Sequence, residues 1–133
     1  MTHVRISDAA RFLGVSDDTV RRWVHAGTLA SVTDASGRMA IESRALAELA
    51  KSQAKAPDDA GSASSARNRF VGLVTAVKAD TVMAQVEMQC GPFRVVSLMS
   101  SEAVDELGLE PGSVAVAVIK STNVIIESLE TTT

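Results

Sequence analysis

The spacing of apolar residues changes character midway along the chain. Through residues 3–50 they recur at helical intervals, whereas residues 70–127 are dominated by short β-branched runs. In the first stretch Ser7 stands as a cap ahead of a helix from Asp8 to Leu13, and Asp8 suits that helix's positive end. Gly14-Val15-Ser16 makes a tight turn, Ser16 caps a second helix from Asp17 to His25, and Gly27 terminates it. Ala10, Leu13, Val15, Val20, Trp23 and Val24, joined by Phe12, supply a shared core. Helix, small-residue turn, helix is helix-turn-helix spacing. A hairpin about Asp34-Ala35-Ser36-Gly37 and a helix from Ser43 to Ala50 follow.

The second stretch predicts strands. Phe70 to Lys78 is the first, with a turn at Ala79-Asp80. Thr81 to Gln89 alternates, placing Val82, Ala84, Val86 and Met88 on one face. A turn at Cys90-Gly91-Pro92 leads into a strand from Phe93 to Met99. Ser100 or Ser101 then caps a short helix that Gly108 ends. Val114 to Lys120 is apolar on both faces, which predicts a central strand or one buried at an interface. After Ser121-Thr122-Asn123 comes a fifth strand, Val124 to Glu127. Five strands with a helix between the third and fourth is the order of a small OB-like barrel. The expected fold class is therefore α+β: a small winged helix-turn-helix, then a five-stranded OB-like β-barrel.

Between the two stretches, residues 51–64 carry Pro57 and Gly61 and no large apolar residue, and read as a linker. This divides the chain into domains at 1–50 and 65–128. Aromatics make up 3% of the chain, so both cores must be aliphatic, and small aliphatic domains gain from oligomerisation. The net charge of −3 is unevenly spread. Residues 1–55 hold eight Lys/Arg against six Asp/Glu, while residues 56–133 hold five against ten. Nucleic acid is thus expected to meet only the first half. An acidic barrel almost without aromatics is a poor single-strand binder. One cysteine, Cys90, excludes an internal disulfide. With no membrane span or basic-plus-apolar leader, it fits a cytoplasmic setting. No nucleophile–base pair, metal-ligand cluster or nucleotide loop stands out, so no enzymatic activity is expected.

Two short segments carry candidate chemistry. Ser65-Ala66-Arg67-Asn68 and Lys120-Ser121-Thr122 each combine hydroxyls, free N–H groups and one cation, with no carboxylate and no His. That donor set suits a small tetrahedral dianion carrying no proton. Ser100, at a helix start, adds a hydroxyl where the helix dipole favours an anion. The plain alternative is a non-binding barrel in which Arg67 and Lys120 sit in ordinary ion pairs.

The run RISDAARFLGVSDDTVRRWVHAGTL, followed by GRMAIESRALAEL, resembles the excisionase-like, MerR-type winged-helix domains. The resemblance implies double-stranded DNA as partner, with the second helix in the major groove and the hairpin as a wing. On matching positions Thr19, Arg21 and Arg22 belong to the recognition helix and Arg38 to the wing. Asp17 and Asp18 at the helix start, and Ala40 where a second basic residue is usual, depart from the pattern and imply weak non-specific affinity. Otherwise Arg21 and Arg22 are the solvated face of a helix used in protein contacts.

Residues 65–127 resemble the Mop (molbindin, TOBE-type) domain. The resemblance rests on Ser65-Ala66-Arg67-Asn68, Gly72-Leu73-Val74, Ser100-Ser101-Glu102-Ala103-Val104, Glu106-Leu107-Gly108-Leu109, Pro111-Gly112 and Lys120-Ser121-Thr122-Asn123-Val124. It implies molybdate or tungstate bound at subunit interfaces by Ser65, Ala66 through its backbone, Arg67, Ser100, Lys120, Ser121 and Thr122, with Asn68 bracing the loop. It also implies a homo-oligomer, at least a dimer, with a hexamer built as a trimer of dimers as the larger form. Together the two resemblances imply a molybdate-responsive DNA-binding transcriptional regulator. The alternative is a molybdate storage or buffering protein with an incidental helix-turn-helix.

Overall fold

The computed structural model describes residues 2–54 and 64–129. The chain divides into two compact units, Met1–Ala56 and Pro57–Thr133. Most of the segment read as a linker, 55–63, lies outside the described residues.

The first unit runs β1 (His3–Arg5), α1 (Ile6–Leu13), α2 (Asp17–His25), β2 (Ser31–Thr33), β3 (Met39–Glu42) and α3 (Ser43–Gln53). Its three-stranded antiparallel sheet has the order β1-β3-β2. Ser16 caps α2 as expected, its hydroxyl accepting the Thr19 N–H at 3.1 Å. Gly14 closes α1 at φ 67°, a left-handed conformation that costs glycine little. In contrast, α1 begins at Ile6 and not Asp8. Ser7 is inside the first turn, and extended Arg5 takes the cap position without a side-chain bond. Ile6 is pulled into the helix because its side chain joins the core with Ala9, Ala10, Val20, Leu29, Ile41 and Leu46. Val20 and Ile41 are fully buried, worth about 2 kcal/mol each. Phe12 is no core residue: it is 57% exposed, with the Arg11 guanidinium 5.5 Å from its ring centre.

The second unit runs β4 (Asn68–Ala79), β5 (Met83–Cys90), β6 (Phe93–Ser100), α4 (Ser101–Leu107) and β7 (Val114–Ile119), then a 3-10 turn at Ser121–Asn123. The antiparallel sheet has the order β6-β5-β4-β7. Alternation in β5 buries Ala84, Val86, Met88 and Cys90, which pack with Val74 and with Val104 of α4. Val82 leaves this pattern, being 67% exposed, because its N–H donates to the Asp80 carboxylate in the preceding turn.

The expected fifth strand, Val124 to Glu127, does not form among the described residues. Val124–Leu129 has no strand partner among the described residues, and Ile125 and Ile126 are 84% and 85% exposed. Strand structure needs a ladder, and this apolar segment finds none on its own sheet. β7, expected to be central or at an interface, is an edge strand paired only with β4. Its outward residues Val114, Val116 and Val118 are all exposed.

Candidate functional site

β4 and β7 pair antiparallel with Asn68 opposite Ile119. Continuing that register by one residue sets Arg67 across from Lys120, so two segments fifty residues apart meet at one end of the sheet. Asn68 fastens them by donating its side-chain amide to the Ile119 carbonyl at 3.1 Å. Ahead of β4, the Ser64 hydroxyl accepts the Ala66 N–H at 3.1 Å, and Arg67 Nη1 donates to the Ser64 carbonyl at 3.2 Å. Ala66 is buried while Ser65 and Arg67 are exposed. Lys120 precedes the 3-10 turn, where the Asn123 N–H bonds the Lys120 carbonyl at 2.9 Å. Lys120, Ser121 and Thr122 are exposed.

Among the described residues the ion pairs are Arg11–Asp8, Arg21–Asp18 and Arg94–Glu87. Neither Arg67 nor Lys120 has a carboxylate partner among the described residues. Two exposed cations thus stand at adjoining strand ends and give this edge a positive local charge.

Ser100 does not join them. It lies on β6, the opposite edge of the sheet, and pairs with Met83 at the far end from Asn68. The twelve residues of β4 separate the two ends, about 35 Å along an extended strand. The Ser100 hydroxyl caps α4, accepting the Ala103 N–H at 3.1 Å. Sequence reasoning missed Ser64, which holds both Ala66 and Arg67. The doubled hydroxyl of Ser64-Ser65 is the signal that marks it.

In the first unit Ser16, Thr19 and Arg22 form a chain of contacts: the Ser16 and Thr19 hydroxyls lie 2.9 Å apart, and Arg22 Nη2 donates to Thr19 Oγ1 at 3.2 Å. Thr19 is thus engaged in organising the helix start. Arg21 and Arg22 are exposed, Arg21 lying 3.8 Å from Asp18. Arg38 sits at the base of the hairpin turn, which Asp34 organises. The Asp34 carboxylate accepts the Ser36 N–H and hydroxyl and the Arg38 N–H, at 2.9, 2.8 and 2.9 Å. The Ser36 hydroxyl and then the Arg38 N–H hold the Asp34 carboxyl below its ordinary value of 3.8. No group of three or more His, Cys, Asp or Glu able to hold a metal occurs among the described residues, nor any helix long and apolar enough to cross a membrane.

The chain thus joins a unit with a helix-turn-helix to a strand-rich unit with two exposed cations at one sheet end. Comparison with known proteins makes this specific. Residues 4–54 match the helix-turn-helix domain model and residues 64–126 the TOBE domain model. Molybdenum-pterin-binding protein 3 of Clostridium pasteurianum is 43% identical over 63 residues, spanning 47% of this chain and 93% of that protein. The molybdenum transport protein ModE of Herbaspirillum seropedicae is 38% identical over 63 residues, 47% of this chain and 23% of ModE. A solved structure of a molybdate binding protein from Sporomusa ovata, 27% identical, covers 50% of this chain and 100% of that one with a TM-score of 0.49. The chain belongs to the Mop-type molybdenum-pterin-binding family through its TOBE domain, and carries a helix-turn-helix domain ahead of it. The Clostridium and Herbaspirillum relatives are named for binding and transport.

Proposed function

We propose that the chain is a molybdate-responsive, DNA-binding transcriptional regulator of the cytoplasm. Residues 1–50 bind double-stranded DNA as a winged helix-turn-helix, residues 65–128 bind molybdate or tungstate, and residues 51–64 join them. The observation that carries this reading is the union, in one chain, of a helix-turn-helix match with a Mop-type domain whose Arg67 and Lys120 adjoin, with no carboxylate partner among the described residues.

In this reading Arg67, Lys120, the hydroxyls of Ser65, Ser121 and Thr122, and the Ala66 N–H hold the oxyanion, and Asn68 braces them. Ser100, at the wrong end of its own sheet, serves an oxyanion held by a neighbouring subunit. A homo-oligomer, at least a dimer and in its larger form a hexamer, follows. Two features support it: the unpaired apolar segment Val124–Leu129, and an open apolar groove of about 540 Å³ bounded by Val74, Val86, Met88, Val95, Leu109 and Ala115. A strand from a second copy would cover that groove, pair the open β7 edge and complete a five-stranded barrel.

One observation favours the storage alternative. The 63 matched residues span almost the whole Clostridium relative, so there the domain stands without a helix-turn-helix. DNA affinity decides between the two. A duplex selected from a random pool by the full chain should change affinity at least about fivefold on adding molybdate. An unchanged affinity, with molybdate bound, would establish storage.

A further inference from the structure

In the first unit a cleft of about 430 Å³ opens among Arg5, Ser7, Asp17, Arg21, Arg38 and Met39. Three separate pieces of chain supply its arginines: β1 supplies Arg5, α2 supplies Arg21, and the turn before β3 supplies Arg38. The backbone fixes their roots. Arg5 pairs with Ala40 across the sheet, two residues from Arg38, so both arise at the same end of it. All three are exposed. Among the described residues Arg5 and Arg38 have no carboxylate partner, and Arg21 has only the exposed Asp18 at 3.8 Å.

We propose that Arg5, ahead of the first helix, completes with Arg21 and Arg38 a cleft that seats a backbone phosphate of duplex DNA. This rests on the double-stranded-DNA reading above. The chain is acidic overall, with thirteen Lys/Arg against sixteen Asp/Glu, yet three arginines and one acidic residue, Asp17, line this mouth. Like charges gathered at one mouth raise the local positive potential and draw an anion to it. Guanidinium forks match a phosphodiester in charge and in donor geometry, and the Ser7 hydroxyl adds a neutral donor at the rim. A phosphate held between helix α2 and the hairpin carries no base information but sets how deeply and at what angle α2 enters the groove. Arg5 is therefore a positioning residue. Helix-turn-helix spacing does not reveal it, because it precedes the first helix and acts only once β1 pairs with β3.

The test uses the full chain and a labelled 30-base-pair duplex selected by it from a random pool, with affinity followed by anisotropy from about 50 to 200 mM KCl. Arg5→Ala should weaken binding about three- to tenfold and lower the slope of log affinity against log salt by about one. Arg5→Lys should keep most of that slope, and Arg44→Ala, exposed on α3 outside the cleft, should change neither quantity. Thermal melts check that each variant is folded. Arg5→Ala with wild-type affinity and slope overturns the proposal and leaves the DNA reading standing. So does a weakened Arg5→Ala whose slope is unchanged, or an Arg44→Ala that loses as much. A wild-type chain that does not bind the duplex overturns the DNA reading and this proposal with it.

Discussion

The side-chain amide of Asn68 reaches the carbonyl of Ile119 across 3.1 Å, tying the first residue of β4 to the last of β7. Arg67 and Lys120 are the next residues outward on each strand, so their separation depends on this one bond and the register behind it. Asn68→Ala removes the tie but no cation. It should cost about 1 kcal/mol of stability, read as a lower melting temperature of the ligand-free protein. It should also weaken molybdate binding less than Arg67→Ala does. Equal losses in the two variants would show that Asn68 touches the anion itself.

Gly72 is required for a packing reason. A Cβ there would lie 2.5 Å from the Gln89 carbonyl oxygen and 2.6 Å from Cys90 Sγ. The first contact is backbone and cannot move aside without bending β5 away from β4. Gly72→Ala should therefore destabilise the second unit by about 1–3 kcal/mol, measured by thermal or urea unfolding, with the helix-turn-helix unit melting as before. Gly91→Ala meets no atom within 4 Å but sits at φ 59°, and should cost about 1 kcal/mol through backbone strain alone.

Ile125 and Ile126 are 84% and 85% exposed, so within a lone chain their replacement should be nearly neutral. If a second copy receives this segment, the double change Ile125→Ser, Ile126→Ser removes two buried aliphatic side chains at every subunit contact. Sedimentation velocity should then show the assembly falling toward monomer at concentrations where the wild type remains associated. Unchanged sedimentation would assign assembly to another surface.

Asp80 organises the turn between β4 and β5. The backbone N–H of Met83, and then that of Val82, hold its carboxyl below the ordinary value of 3.8. Because the folded-state value is depressed, its stabilisation is present above that ordinary value and is lost as pH falls through and below it. The difference in melting temperature between wild type and Asp80→Asn should accordingly be constant from pH 7 to about 5 and shrink below pH 4. A difference that grows on acidification would reverse the assignment.

Local signals carried much of this structure. The hydroxyl of Ser16, the left-handed Gly14 and the alternation through Ala84, Val86 and Met88 each act within a few residues, so their consequences are readable from the chain itself. What the sequence concealed depends on partners distant along it. His3–Arg5 is too short to alternate and becomes a strand only because β3 lies beside it. Val82 belongs to the apolar alternation by residue type but is claimed by the Asp80 turn. The apolar residues of Val124–Leu129 look like a strand, yet a strand requires a ladder, and none pairs with them among the described residues. The candidate site divides in the same way. Arg67 and Lys120 were legible as donor-rich segments, but their adjacency needed the β4–β7 register, and the distance of Ser100 from both needed the sheet order.

The most direct measurement is calorimetric titration of ligand-free full-length protein with molybdate, with sulfate as competitor and Arg67→Ala as the control. The expected result is saturable binding that excess sulfate does not displace, weakened about ten- to a hundredfold in the variant, since a hydrogen bond to a charged group contributes about 1.5–3 kcal/mol. Absence of molybdate binding by the assembled, ligand-free wild type would contradict both the regulatory and the storage readings. The second unit would then be an assembly module attached to a helix-turn-helix.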